Sequence, residues 1–331
     1  MGSLLYGAEG FGFEKPYVKA KRAEAEATGK EYLMELNDST RFIDDLLLYR
    51  SIGKTLSTYL HGINDRLDAN DRVHTSFLQH GTKSGRLSSQ NPNLQNLTNV
   101  AKLTDPTAIE VVSMVKKPFI APEGYTLCQI DYSQAELRII ASFAGETNML
   151  DAYNAGIDLH ALYAARMLKT DLDGFYKLDK ADQKNWRTRA KAGNFGLIYG
   201  MSAEGLVHYA KNNYGVILSL KEATEMRNDF FAMYPRLLDY HDTYIAKGRK
   251  FGYVRTLYGR MRRVPQILDQ NEYIRGMDER VAINSPVQGT AGEFTVFAIS
   301  LLRNRLDPRV KFVNTVHDSI VTGKQIGRAH V

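Results

Sequence analysis

Apolar residues recur at helical spacing over most of the chain, and only a few short runs cluster or alternate as strands do. Residues 38–61 place Phe42, Ile43, Leu46, Leu47 and Tyr49 on one face of a predicted amphipathic helix, with Asp38 or Ser39 as its cap. The charged, Ala-rich stretch 14–35 also favours helix. Residues 74–100 are rich in Ser, Asn, Gln and Gly and keep neither period, which predicts a loop with short extended pieces. Segment 106–118 alternates weakly and is limited by Pro118. Residues 125–132 form a compact apolar run, predicting a buried strand that leads into Asp131. Helical spacing resumes over 134–151 through Leu137, Ile140, Phe143 and Leu150. Further helices are predicted over 160–169, 180–199, 221–250 (broken near Pro235) and 272–306, the last split in two by Asn284-Ser285-Pro286. Residues 310–322 read as two short strands around His317-Asp318. The expected class is α+β, mostly helical with one small sheet, and no internal repeat is visible.

Composition changes this picture little. Of 331 residues, 44% are hydrophobic and 24% charged, enough for a core and for two or three domains. The net charge of +6 suits a polyanionic partner, although many proteins that bind no nucleic acid carry as much. The single cysteine, Cys128, excludes an internal disulfide and, in its apolar run, reads as buried. A reducing compartment fits, and the absence of a long apolar run or signal pattern predicts a soluble, cytoplasmic protein without a membrane partner. Both ends read as cut. The chain opens on irregular residues around Gly2, Gly7, Gly10 and Gly12, and residues 323–331 read as a non-native tail.

Candidate chemistry begins with two acids. Asp131 at a strand end can hold a hard cation or cap the following helix. Asp318 sits beside His317 at the tip of two apolar strands, where a functional acid and an ordinary turn residue are both possible. Between them Arg187, Lys191, Phe195 and Tyr199 recur every four residues and share one helical face. Two cations followed by two aromatics fit a nucleotide laid along that face, or a solvated basic end followed by a core stripe. Gly193, Gly196 and Gly200 each cost a helix about 1 kcal/mol relative to Ala, which predicts a hinge or a close approach of a base.

Taken together, these segments resemble a known family. Asp131-Tyr-Ser-Gln-Ala-Glu136-Leu-Arg138 resembles the first motif of family A DNA polymerases, Arg187 through Lys191, Phe195 and Tyr199-Gly the second, and Val316-His317-Asp318 the third. Thr82-Lys-Ser-Gly85-Arg86, Asn91-Pro-Asn93-Leu-Gln95-Asn96, Asp158-Leu-His160, Thr256 to Arg260, and Arg280, Asn284 and Val287-Gln288-Gly-Thr-Ala follow in the family's order. The resemblance spans about residues 40–322. It implies a right-hand polymerase with an antiparallel-sheet palm (63–149 and 273–322), helical fingers (150–272) and a partial thumb (1–62). It implies transfer of deoxynucleoside triphosphates to a primer 3′-hydroxyl with two Mg²⁺ ions, held by Asp131, Asp318 and the Tyr132 carbonyl. Lys191 would neutralise the triphosphate and act as an acid, while Arg187 and His160 hold the outer phosphates. Gln134, Glu136, Phe195 and Tyr199 would complete the nucleotide site, Glu136 by excluding a 2′-hydroxyl and Phe195 by disfavouring dideoxynucleotides. Lys54, Arg86, Asn93, Asn96, Arg280, Asn284, Gln288 and His317 would hold the primer–template DNA of a monomeric enzyme in a bacterial or phage-infected cell.

The sequence departs from that pattern at Ser319, where the family carries a glutamate, at Ala135, and in the segments beyond the motifs. A single-subunit RNA polymerase shares the two aspartates and the lysine helix, but Glu136 and Tyr199-Gly200 argue against it. An impaired DNA-binding fragment is the other rival reading.

Overall fold

The structure, a computed structural model, describes residues 1–325 apart from 8, 10, 19–22, 25–26, 34–35, 37–40 and 98–105. Its elements in chain order begin with α1 (Gly2–Tyr6), β1 (Tyr17–Val18), β2 (Ala23–Glu24), α2 (Lys30–Leu33) and α3 (Phe42–Lys54). A π-helical stretch, Thr55–His61, leads to α4 (Gly62–Asn64), β3 (Ser76–Leu78), β4 (Ser88–Gln90) and α5 (Pro106–Met114). Then follow β5 (Tyr125–Asp131), α6 (Ala135–Ala144), α7 (Thr147–Asn154), α8 (Leu159–Met167), α9 (Leu172–Lys177) and α10 (Lys180–Leu197). The chain continues through α11 (Ala203–Tyr214), α12 (Leu220–Met233), α13 (Arg236–Phe251), β6 (Tyr253–Arg255), β7 (Met261–Arg263), α14 (Glu272–Arg305), β8 (Val310–Val316) and β9 (Ser319–Gln325). These fall into two compact units, Met1–Ser76 with Gln90–Ile120, and Phe77–Ser89 with the chain from Ala121 onward. Among the described residues no helix is long and apolar enough to cross a membrane.

The first unit has a small core of Leu5, Tyr6, Leu33, Ile43 and Leu46. The helix expected over 38–61 is α3 continuing into the π-helical stretch; its expected caps, Asp38 and Ser39, lie outside the described residues. Ile43 and Leu46 face the core, but Tyr49 is 76% exposed, so the apolar face is narrower than its spacing implied. The helix-friendly stretch 14–35 instead contains the antiparallel pair β1–β2 and the short α2. Propensity is a weak prior that tertiary pairing overrides. Within segment 106–118 the helix α5 runs Pro106–Met114, with Pro106 at its first position, where a missing N–H costs nothing.

The second unit has a large core that draws on α6, α8, α10, α12, α13 and α14, and a smaller cluster of Val254, Val264, Ile267 and Ala282. In the large core Leu137, Ile140, Leu159, Leu197 and Phe230 are fully buried, each stabilising the unit by roughly 1.5–3 kcal/mol, and Tyr163 and Tyr234 are fully buried beside them. Capping explains where α8 to α12 start. Asp158, Asp171, Asp179 and Ser202 each accept a bond from a first-turn amide, and Ser219 with Glu222 forms a capping box. The periodicity missed α9 and α11, both introduced by such caps. The expected break near Pro235 separates α12 from α13.

Two expectations fail here. Residues 272–305 form one continuous helix with Pro286 inside it. Proline removes an amide from the helical ladder, but Ala282, Ile283, Pro286, Val287 and Thr290 are all buried, and the Tyr240 hydroxyl donates to the Ile283 carbonyl (2.9 Å). Tertiary packing keeps unbroken what local chemistry would interrupt. Strand β5 forms, but as an edge strand of the sheet ordered β5-β9-β8, and Cys128 is exposed. Its apolar run reflects β propensity, not burial. The residues expected to be a non-native tail lie, from 326 on, outside those described.

Candidate active site

The acids meet through strand pairing. β5 and β9 are antiparallel with Asp131 opposite Ser319, and Asp318 occupies the β8–β9 turn one residue earlier. The Tyr132 amide donates to the Asp318 carbonyl at 3.3 Å. His317 in that turn (φ +52°) and Gln134 after the first acid (φ +54°) both adopt the left-handed conformation. For non-glycine residues this costs roughly 1–2 kcal/mol each, and such strain gathers at functional sites. Burial raises the Asp131 carboxyl above its ordinary range, and the neighbouring Asp318 charge pushes it the same way.

A cation from a third segment bridges Asp318 to Glu136. Arg86 Nη2 lies 2.6 Å from Glu136 Oε1 and 3.0 Å from Asp318 Oδ1. The other Glu136 oxygen accepts from the Tyr199 hydroxyl, so Tyr199, Glu136, Arg86 and Asp318 form one chain of polar contacts. Arg86 packs on α14 at Gly292, where an added Cβ would come within 2.9 Å of its Cγ. Gln134 is held by the Tyr153 hydroxyl (2.9 Å), and the Arg138 guanidinium lies 4.1 Å above the Tyr153 ring.

Opposite the acids runs the cationic face of α10. Arg187 Nε donates to Asp158 Oδ2 (2.6 Å) while Asp158 also caps α8 through the His160 amide. Burial opposes charge on Asp158, but these two bonds and the Arg187 charge outweigh it and hold its carboxyl low. His160 is 1% exposed; its Nδ1 pairs with the Asn194 amide at 2.8 Å. Burial lowers its pKa to about 4, so near neutral pH the ring is uncharged and its Nε2 carries the proton. Burial, then the Arg187 charge, also lowers the pKa of Lys191. Arg86, Asp131, Tyr132, Gln134, Glu136, His160, Arg187, Lys191, Phe195, His317 and Asp318 all line one cavity of about 440 Å³.

α10 ends at Leu197, so Tyr199 lies just past the helix and not on its face as expected. The glycines are also explained differently. A Cβ at Gly193 would sit 2.7 Å from the Tyr163 ring, and one at Gly196 3.2 Å from Met201 Sδ. Both serve helix packing, whereas Gly200 adopts a positive φ (+75°) beyond the helix end.

A second cavity, of about 560 Å³, adjoins the first through Glu136 and Phe195. Arg280, Asn284 and Gln288 line it from successive turns of α14, with Tyr199, Lys83 and Arg262. Asn284 Oδ1 is buried without a hydrogen-bond partner. The remaining expected DNA contacts belong to the other unit. Lys54 is exposed at the end of α3 and Asn96 in its loop, and Asn93 Oδ1 accepts from the Gln95 and Asn96 amides as a turn former does.

Residues 3–327 match the family described as DNA polymerase family A. The chain belongs to that family. Among its relatives, DNA polymerase I of Caldicellulosiruptor bescii is 34% identical over 93% of this chain and 35% of its own length. DNA polymerase I of Deinococcus radiodurans is 36% identical over 94% of this chain and 30% of its own length. The solved POL domain of Pol1 from M. smegmatis, in complex with DNA primer-template and dNTP, superposes with a TM-score of 0.76 at 30% identity. That match covers 95% of this chain and 52% of the other. This family A chain thus spans about a third of the length of the curated relatives.

The acid pair fits a hard divalent cation. Among the described residues no three His, Cys, Asp or Glu side chains converge as metal ligands. Two oxygen donors whose charges repel each other remain, and Arg86 already brings positive charge to one of them. Mg²⁺ suits such a set, because it takes one or two carboxylates and completes its shell with water and substrate phosphates.

Sequence reasoning missed the partners that hold these groups. Asp158 appeared only within a motif, yet it orients Arg187. Asn194, a buried polar residue among the glycines and alanines of α10, fixes the His160 ring. Its amide inside an otherwise small-residue helix face was the available signal. Nothing local linked Arg86 to Asp318.

Proposed function

We propose that this chain carries the catalytic region of a template-directed DNA polymerase. Such an enzyme adds deoxynucleoside triphosphates to a primer 3′-hydroxyl. The observation that supports this most is the single cavity where Asp131 and Asp318 face Arg187, Lys191 and His160, in a member of DNA polymerase family A. Under this reading residues 63–149 and 273–322 are palm, 150–272 fingers and 1–62 part of the thumb.

Asp131, Asp318 and the Tyr132 carbonyl would hold two Mg²⁺ ions, which would supply stabilisation of the attacking and departing oxygens. Arg187, oriented by Asp158, and the neutral His160, donating from Nε2, bind the outer phosphates. Lys191 Nζ neutralises the triphosphate and gives a proton to the departing pyrophosphate; its lowered pKa favours that transfer. Glu136, tied by Tyr199 and Arg86, closes the space beside the sugar 2′ carbon. Gln134 and Phe195 frame the incoming nucleotide. Arg86 leaves Asp318 for a minor-groove acceptor of the primer end, which frees the carboxylate. Lys54, Asn93, Asn96, Arg280, Asn284, Gln288 and His317 contact the duplex, checking pairing without reading sequence.

Primer extension with Mg²⁺ tests this. Extension with dNTPs but not NTPs, abolished by Asp131→Ala, is the expected result. Extension with NTPs would instead point to RNA synthesis, and DNA binding without extension to an impaired fragment.

A further inference from the structure

The turn that carries Asp318 is held by side chains as well as by the sheet. Gln129 lies two residues before Asp131 on β5, and therefore on the same face. Its Nε2 donates to Ser319 Oγ at 2.9 Å, and Ser319 Oγ donates in turn to the Val316 carbonyl at 2.9 Å. Thr315 Oγ1 donates to the Ser319 carbonyl at 3.0 Å. His317 and Asp318 sit inside this buckle, and Ser319 is 1% exposed. The backbone bond joining β5 to the turn at this point, from the Tyr132 amide to the Asp318 carbonyl, is long at 3.3 Å. The Gln129 amide supplies a shorter tie between the same two segments.

We infer that Gln129 is a positioning residue for the Asp131–Asp318 pair, acting through Ser319. The inference rests on the reading above only in taking that pair as a divalent-cation site. Ser319 stands where the family pattern carries a glutamate, directly opposite Asp131. A carboxylate there would add charge near the cations. This chain has a neutral donor–acceptor pair instead, so the attraction of its two carboxylates for a cation depends on their being held at fixed separation. Because Gln129 is exposed, replacing it disturbs no core.

The test is Mn²⁺ binding by the DNA-free chain, followed by electron paramagnetic resonance, in wild type, Q129M, S319A and the double variant. Methionine keeps the length of glutamine and removes the donor. Q129M and S319A should each weaken binding by roughly three- to tenfold, the value of one hydrogen bond. The double variant should be no worse than S319A alone, because both act through one contact. In primer extension the Mg²⁺ concentration for half-maximal rate should rise by the same factor, with the dNTP KM at saturating Mg²⁺ unchanged. Wild-type Mn²⁺ affinity and Mg²⁺ dependence in Q129M, with binding still lost in D131N, would overturn the positioning role alone. Mn²⁺ binding that survives in both D131N and D318N would overturn it together with the proposed function.

Discussion

The two walls of the cavity between Asp131 and Lys191 are built in opposite ways. The cationic wall comes from one helix face, Arg187 and Lys191 on α10, completed by His160 from the adjoining α8. The acidic wall comes from β5, the β8–β9 turn and the Arg86 loop, three segments distant in sequence. Electrostatically they mirror each other. Burial drives Lys191 and His160 toward their neutral forms, and burial with like charge drives Asp131 toward its own. Each wall therefore favours a partner of opposite sign, which under the proposed function is phosphate for one and a metal ion for the other. Asp158 and Arg86 partly supply that partner beforehand.

The comparison breaks most sharply at the acids. Asp131→Asn or Asp318→Asn should lower kcat for primer extension by roughly a thousandfold or more, about 4 kcal/mol of transition-state stabilisation. On the opposite wall Lys191→Ala should cost roughly a hundred- to a thousandfold, mainly in kcat. Equal, small losses in both would refute the division of roles. Glu136→Ala should reduce the preference for dNTPs over NTPs by about 10–200-fold, measured as a ratio of kcat/KM values. Arg86→Ala should tighten Mn²⁺ binding by the DNA-free chain several-fold, because one competing cation leaves Asp318, while raising the Kd for primer–template. Tighter DNA binding in that variant would exclude the proposed exchange.

The smallest expected effect is on stability. His160 has a folded pKa of about 4, below the ordinary value of 6.5. The unfolded chain therefore binds a proton first as pH falls. The His160 contribution to stability is undiminished above about pH 6.5, declines between there and pH 4, and levels off below. His160→Gln, which cannot titrate, should flatten the fall in Tm across that window. An unchanged slope would show that His160 charges freely and is more hydrated than its burial indicates.

Much of the cationic wall was legible because it obeys a short period. Residues four apart on a helix must share a face, whatever surrounds them, and the order Arg187, Lys191, Phe195 follows from that alone. The hairpin at Asp318 was legible for a similar reason: two apolar strands need a turn between them, and the polar run His317-Asp318-Ser319, between Val316 and Ile320, offers one. The acidic wall was visible only as two unrelated aspartates, each equally readable as a cap or a turn. The family motifs joined them, but no local pattern announced the Arg86 contact, the Gln129–Ser319 tie or the edge position of β5. Pro286 misled in the other direction, since its chemistry predicts a break that packing suppresses.

By itself the sequence determined the shared face of Arg187, Lys191 and Phe195, the starts of α8 to α12 through their caps, and the hairpin at Asp318. These depend on interactions within a few residues, whose geometry is set by backbone periodicity. Only the tertiary structure decided that Asp131 and Asp318 lie side by side, that Arg86 spans Asp318 and Glu136, that His160 is neutral, and that α14 runs unbroken through Pro286. Each of those depends on strand register, burial or packing between distant segments, and so on contact energies that no short window of sequence contains.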